Sequence, residues 1–156
     1  MSYLTFDPVQ LEELLPVVRS EDRGGIACFL GTVRDHHQGR AVLRLEYSAY
    51  APMAEAECAR IVAETEARWN VAIALRHRLG RLEIGDVAIA VVAASPHRDN
   101  AFVACRHVIE EVKRRVPIWK REHYIDGSVV WVDPTAASAD PPAIAAGSGA
   151  RFGTSQ

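Results

Sequence analysis

The chain reads as an α+β protein, a mostly antiparallel sheet carrying two main helices. Three observations predict this. Two long stretches have apolar residues at helical spacing. Between them lie β-branched and apolar runs that come in neighbouring pairs. The pairs are divided by short turn signals, Gly80, Gly85-Asp86 and Asp126-Gly127, too short for a crossover between parallel strands.

Asp7-Pro8 reads as a helix start, with Asp7 as N-cap and Pro8 in the first turn, and the helix runs to about Leu15. Gly24-Gly25 opens IACFLGTV, expected to be a buried strand, and a polar loop, RDHHQGR, leads to a second strand in VLRLEYSAY. From Pro52 the period changes: Ala54, Cys58, Ile61, Val62, Thr65 and Trp69 mark one face of a helix of about four turns, ended by Asn70. VAIALRHRLG and VAIAVVAAS follow as strands, the second apolar enough to be buried on both faces. A second long helix begins near Arg98-Asp99, with Phe102, Cys105, Ile109, Val112 and Val116 as its apolar stripe, and Pro117 stops it. Ile118 to Tyr124 and Val129 to Val132 make a closing hairpin. Residues 1–133 are read as one domain, and the Ala-, Pro-, Gly- and Ser-rich stretch 134–156 as a mobile tail.

Composition narrows the function. Apolar residues make up 49% and charged residues 24%, which excludes collagen-like and wholly disordered chains. The longest apolar run, Val87 to Ala94, is far short of the roughly 18–20 residues of a membrane helix. With no basic, apolar leader at the start, the expected address is the cytoplasm. A net charge of −2 argues against general nucleic-acid binding. Yet Arg106 to Arg121 is locally +4, suited to a small anion or an acidic chain end. Cys28, Cys58 and Cys105 form no CxxC pair and are read as small buried hydrophobes, without disulfide or zinc.

Chemistry concentrates in three stretches. SPHRDNAF places His97 and Arg98 at a helix N-terminus, where free N–H groups and the helix dipole favour an anion. In EEVKRRVPIWKRE, Lys113 borders the apolar stripe. Beyond Pro117, strand alternation puts Ile118, Lys120 and Glu122 on one side and Trp119 and Arg121 on the other. The two lysines can therefore converge on one pocket as base or nucleophile, or lie on the surface as snorkelling side chains. In GTVRDHHQGR, Arg34 follows a strand at the start of a polar loop, a position from which it can grip a ligand. The adjacent His36 and His37 lack a metal ligand set. His77, His107 and His123 are scattered and receive no role. Nucleotide-binding glycine motifs and hydrolase signatures are absent from the sequence.

At these stretches the sequence resembles the large, catalytic subunits of molybdopterin synthase. The matching pieces are FLGTVRDHHQGR, LEYSAYAPMAE, HRLGRLEIGD, SPHRDNAF, KRRVPIWKRE and a closing DG-x-x-x-WV, in the family's order across about residues 24 to 132. The resemblance implies an α/β hammerhead-like fold with a small β-rich subdomain. It also implies a homodimer that binds a small ubiquitin-like sulfur carrier at each end, giving a heterotetramer. The carrier's C-terminal Gly-Gly thiocarboxylate would supply two sulfurs to cyclic pyranopterin monophosphate, making the dithiolene of molybdopterin, so this chain would bind no cofactor of its own. By position, substrate binding falls on Thr32, Val33, Arg34, His97, Arg98, Arg121 and Glu122, with Lys113 and Lys120 both binding and catalytic. Relatives often carry an arginine soon after the closing WV, whereas here the next basic residue is Arg151. The competing reading is a non-catalytic protein that holds a pterin phosphate or a ubiquitin-like tail.

Overall fold

The computed structural model describes residues 1–132; the expected tail and Arg151 lie outside the described residues. Two sheets organise the chain. The first has the order β1-β5-β7-β2, formed by β1 (Leu4–Thr5), β2 (Gly25–Thr32), β5 (Ala72–Arg78) and β7 (Val87–Ser95). All its pairings are antiparallel except β1 with β5. The second sheet is built on β4 (Arg40–Ala49), which pairs with β3 (His36–His37), β6 (Gly80–Glu83) and β8 (Ile118–Tyr124), and β8 pairs in turn with β9 (Val129–Val132). These strands are the β-rich subdomain, and the fold is α+β as expected.

Helices α2 (Ala51–Trp69) and α3 (Arg98–Arg115) cover one face of the first sheet, and α1 (Leu11–Val18) covers the other. With helices on both faces, β7 buries every residue from Ala88 to Ser95, as its unbroken apolar run predicts. On α2 the expected stripe Ala54, Cys58, Ile61, Val62 and Thr65 is buried, and Asn70 closes the helix in the left-handed region at φ 48°.

Four expectations need correction. Helix α1 starts at Leu11 after an N-cap at Gln10, not at Asp7-Pro8, and runs on to Val18. The Asp7 N–H instead takes the Thr5 hydroxyl, a local turn that competes with the helix. On α3 the buried stripe is Ala101, Ala104, Cys105, Val108, Ile109 and Val112, so Phe102 stands outside it, 63% exposed. Strand β2 is apolar but not buried: Ile26, Cys28, Phe29 and Leu30 are all exposed, because β2 is an edge strand. Cys28 is thus not a core residue, whereas Cys58 and Cys105 are.

At the start of β2 two glycines allow α3 to sit directly on the strand. A Cβ on Gly25 would lie 2.9 Å from the Arg98 Cα, and one on Gly24 3.0 Å from the Pro96 carbonyl oxygen. The N-terminus of α3 is therefore pinned to the Gly25 end of β2. The Thr32 end, past a register shift at Gly31, opens toward the second sheet.

Candidate functional site

Where the two sheets meet, they leave a cleft of about 520 Å³. Its walls come from β2 (Phe29 to Thr32), the loop at Arg34, β4 (Leu45, Tyr47), β5 (His77), α3 (Ile109, Lys113) and β8 (Ile118, Lys120, Glu122). The two lysines arrive from either side of Pro117, one on the last turns of α3 and the other on β8. Strand alternation sets the second: Ile118, Lys120 and Glu122 all line the cleft, as the two-residue period predicts.

The two lysines have different surroundings. The Lys120 ammonium lies 3.3 Å from Glu122 Oε1, and Glu122 is 1% exposed. The other oxygen, Glu122 Oε2, accepts the Tyr124 hydroxyl. That hydrogen bond, ahead of burial, pushes the Tyr124 phenol up and keeps it a donor. The Arg40 guanidinium stacks 3.7 Å over the Tyr124 ring and pairs with Asp126 at 3.1 Å. Lys120 is thus held from behind by a buried carboxylate that is itself held. Lys113 is exposed, with no carboxylate within ion-pair distance among the described residues. Nearby, burial first and the Glu122 charge second push the half-buried Tyr47 phenol up to about 12, so it stays neutral.

The remaining expected residues divide. Thr32 and Arg34 line the cleft, and both are exposed. Val33 is buried beneath them, its N–H donating to the Asp86 carbonyl at 3.0 Å and its own carbonyl accepting from Gly85 at 2.8 Å. It anchors the loop rather than facing the cleft. Arg121 points the other way, pairing with Glu46 and lying 5.3 Å from the Trp131 ring. His97 and Arg98 are exposed at the start of α3, outside the cleft, where His97 is the N-cap residue without a capping side chain.

Sequence reasoning missed two contributors. His77, assigned no role, lines the cleft from β5, and His37 comes within 4.0 Å of Glu122. Neither has a local pattern, because each reaches the cleft only through sheet pairing. His36 is taken by Asp35 at 2.8 Å, and no group of three metal-ligating side chains is assembled among the described residues.

Comparison with known proteins decides the family anticipated from the sequence. The family described as MoaE protein matches residues 4–115. The chain belongs to this family. A relative from Pyrococcus abyssi, named molybdopterin synthase catalytic subunit, is 45% identical over 124 residues, 79% of this chain and 83% of the relative. One of the same name from Nostoc is 39% identical over 131 residues, 83% and 79% of the two chains. Among solved structures, molybdopterin synthase from Staphylococcus aureus superposes with a TM-score of 0.80 at 36% identity, covering 84% of this chain and 96% of that one. Family membership agrees with the hammerhead-like α+β expectation, down to the β-rich second sheet.

Proposed function

We propose that this chain is the catalytic subunit of a molybdopterin synthase, a sulfurtransferase acting in molybdenum cofactor biosynthesis. Its substrate is cyclic pyranopterin monophosphate, and sulfur comes from the C-terminal thiocarboxylate of a small ubiquitin-like partner. The observation that carries the reading is the pair Lys113 and Lys120 facing one cleft, with Lys120 backed by buried Glu122. Thiocarboxylate and phosphate are both anions, and a cleft bordered by Lys113, Lys120 and Arg34 attracts both.

In each of two rounds, the thiocarboxylate sulfur attacks a side-chain carbon of the pterin, and a C–S bond forms as a C–O bond at that carbon breaks. In one round the oxygen departs with the opened cyclic phosphate, and in the other a carbonyl oxygen departs as water. Water then cleaves the acyl–sulfur bond, leaving sulfur on the pterin and a carboxylate on the carrier. Opening of the cyclic phosphate releases negative charge on oxygen. Lys120, fixed by Glu122, and the unpaired Lys113 stabilise that charge and move protons at the reacting carbons and the leaving oxygen. Glu122 acts as a positioning residue for Lys120, and Val33 holds the loop that presents Thr32 and Arg34.

His97 and Arg98 join the site from a second copy of the chain. The open edge of β2 carries Ile26, Phe29 and Leu30 exposed, beside exposed Phe102 and Val103 on α3. Two copies pairing antiparallel through β2 cover this apolar edge. Within one copy, the Gly25 and Thr32 ends of β2 are about 23 Å apart, beyond the reach of one arginine. Across a two-fold axis near the strand's middle, the Gly25 end of one copy lies beside the Thr32 end of the other. Arg98, pinned to Gly25, then meets the neighbouring cleft with His97, and their free helix N-terminus suits the substrate phosphate. This dimer with one carrier at each end makes the heterotetramer. Arg121 supports the site from behind β8.

In this reading the chain holds no cofactor of its own and works in the cytoplasm, a reducing compartment suited to three free cysteines. No helix among the described residues is long and apolar enough to cross a membrane. The test is reconstitution: the purified chain, a thiocarboxylated carrier and cyclic pyranopterin monophosphate, with mass spectrometry of the pterin. A product carrying two sulfurs is expected. Complex formation without product would favour the non-catalytic binder instead.

A further inference from the structure

We propose that His77 is a further substrate-contacting residue of the cleft, its Nε2 lone pair accepting a hydrogen bond from a ring N–H of the pterin and so fixing how the flat ring lies. The proposal rests on the reading of the cleft as a pterin site. His77 is 7% exposed and lines the cleft from β5. Its Nδ1 lies 2.8 Å from the Arg78 carbonyl oxygen, which can only accept, so the neutral ring carries its proton on Nδ1. The lone pair is left on Nε2, which has no hydrogen-bond partner among the described residues. The ring is held edge-on against Tyr47, with centroids 5.0 Å apart and planes at 76°.

Burial, with a smaller contribution from the Lys113 charge, lowers the His77 pKa to about 4 against the pull of the Arg78 carbonyl. At neutral pH the ring is therefore an acceptor, not a cation. That sets it apart from the lysine- and arginine-rich side of the cleft, which offers donors for the anionic end of the substrate. Glu122, the buried carboxylate, already has one oxygen on Lys120 and the other on Tyr124. A pterin has ring N–H and amino donors along its edge, and a buried donor left unmet weakens binding. His77 supplies the missing acceptor.

Two substitutions separate this role from a structural one. His77→Asn keeps a donor for the Arg78 carbonyl and removes the acceptor at the Nε2 position. His77→Gln places an acceptor near that position and gives up the Nδ1 donor. Binding of cyclic pyranopterin monophosphate would be followed by calorimetry, with inorganic phosphate as a counter-probe. We expect His77→Asn to bind the pterin about tenfold more weakly, one hydrogen bond's worth. His77→Gln should stay within about threefold of the parent, and phosphate binding should be unchanged in both. Unchanged pterin binding in His77→Asn, or an equal loss in His77→Gln, would overturn the proposal. In the unsubstituted chain, the unprotonated 15N resonance of His77 should move on adding the pterin and not on adding phosphate. A resonance indifferent to both would also overturn it. Failure of the unsubstituted chain to bind the pterin at all would instead remove the pterin reading on which the proposal stands.

Discussion

The cleft at the junction of the sheets and the N-terminus of α3 are both rich in cationic side chains, yet only the first is an assembled site within one copy. In the cleft, Lys120, Glu122 and Tyr124 are tied together, and Glu122 is 1% exposed. At the α3 N-terminus, His97 and Arg98 stand in solvent with no ion-pair partner among the described residues. The proposed two-copy site accounts for this difference, since it would bring His97 and Arg98 to the neighbouring cleft. The exposed apolar edge of β2 runs between the two regions, where the proposed pairing of two copies would cover it.

The sharpest way to break this contrast is to remove a lysine. Lys113→Ala should lower product formation by at least about 100-fold, the scale of lost proton transfer and charge stabilisation. Because Lys113 is exposed, its melting temperature should hold; near-normal turnover would take it out of the mechanism. Next is the edge itself. Phe29→Asp, at a residue 38% exposed in one copy, should give a folded monomer by sedimentation with activity reduced more than tenfold. A dimer that persists would place the interface elsewhere.

Glu122→Ala should cost about 1–3 kcal/mol of stability in denaturant titration, since it strands the Tyr124 hydroxyl and the Lys120 ammonium. The turnover number should fall more than the KM rises, as expected when a catalytic group loses its support. A further effect concerns pH. His77 has a folded pKa of about 4, below the ordinary 6.5, so the unfolded chain binds the extra proton first as pH falls. Stability is full above about 6.5 and declines toward pH 4, by on the order of 3 kcal/mol if the whole shift is expressed. His77→Phe should flatten the melting profile over that window. An unaltered slope would mean the ring is not held neutral.

Much of this could be read from the sequence. The alternation that puts Lys120 and Glu122 on one side of β8, the Asn70 stop and the anion-friendly start of α3 are local patterns, and local patterns survive without a structure. What escaped was non-local. Strands β1, β3 and β6, of two to four residues, exist only because a neighbour pairs with them. The apolar run of β2 looked like core because hydropathy cannot tell a buried strand from an edge awaiting a partner. His77 looked idle because only the pairing of β5 with β7 and the approach of β4 and α3 bring it to the cleft. Arg98 was expected to hold an anion, but its distance from the lysines in one copy follows from the length of β2.

If one site is shared between two copies, mixing two inactive variants should restore it. Lys120→Ala and Arg98→Ala dimers would each be assayed alone and after unfolding and refolding together with the thiocarboxylated carrier present. Each alone should be nearly inactive. The mixture should recover about a quarter of the unsubstituted activity, because half of the randomly paired dimers are mixed and each of those holds one intact cleft. A mixture as inactive as its parents, with mixed dimers verified by mass, would rule out a shared site and put Arg98 and Lys120 in the same copy's site.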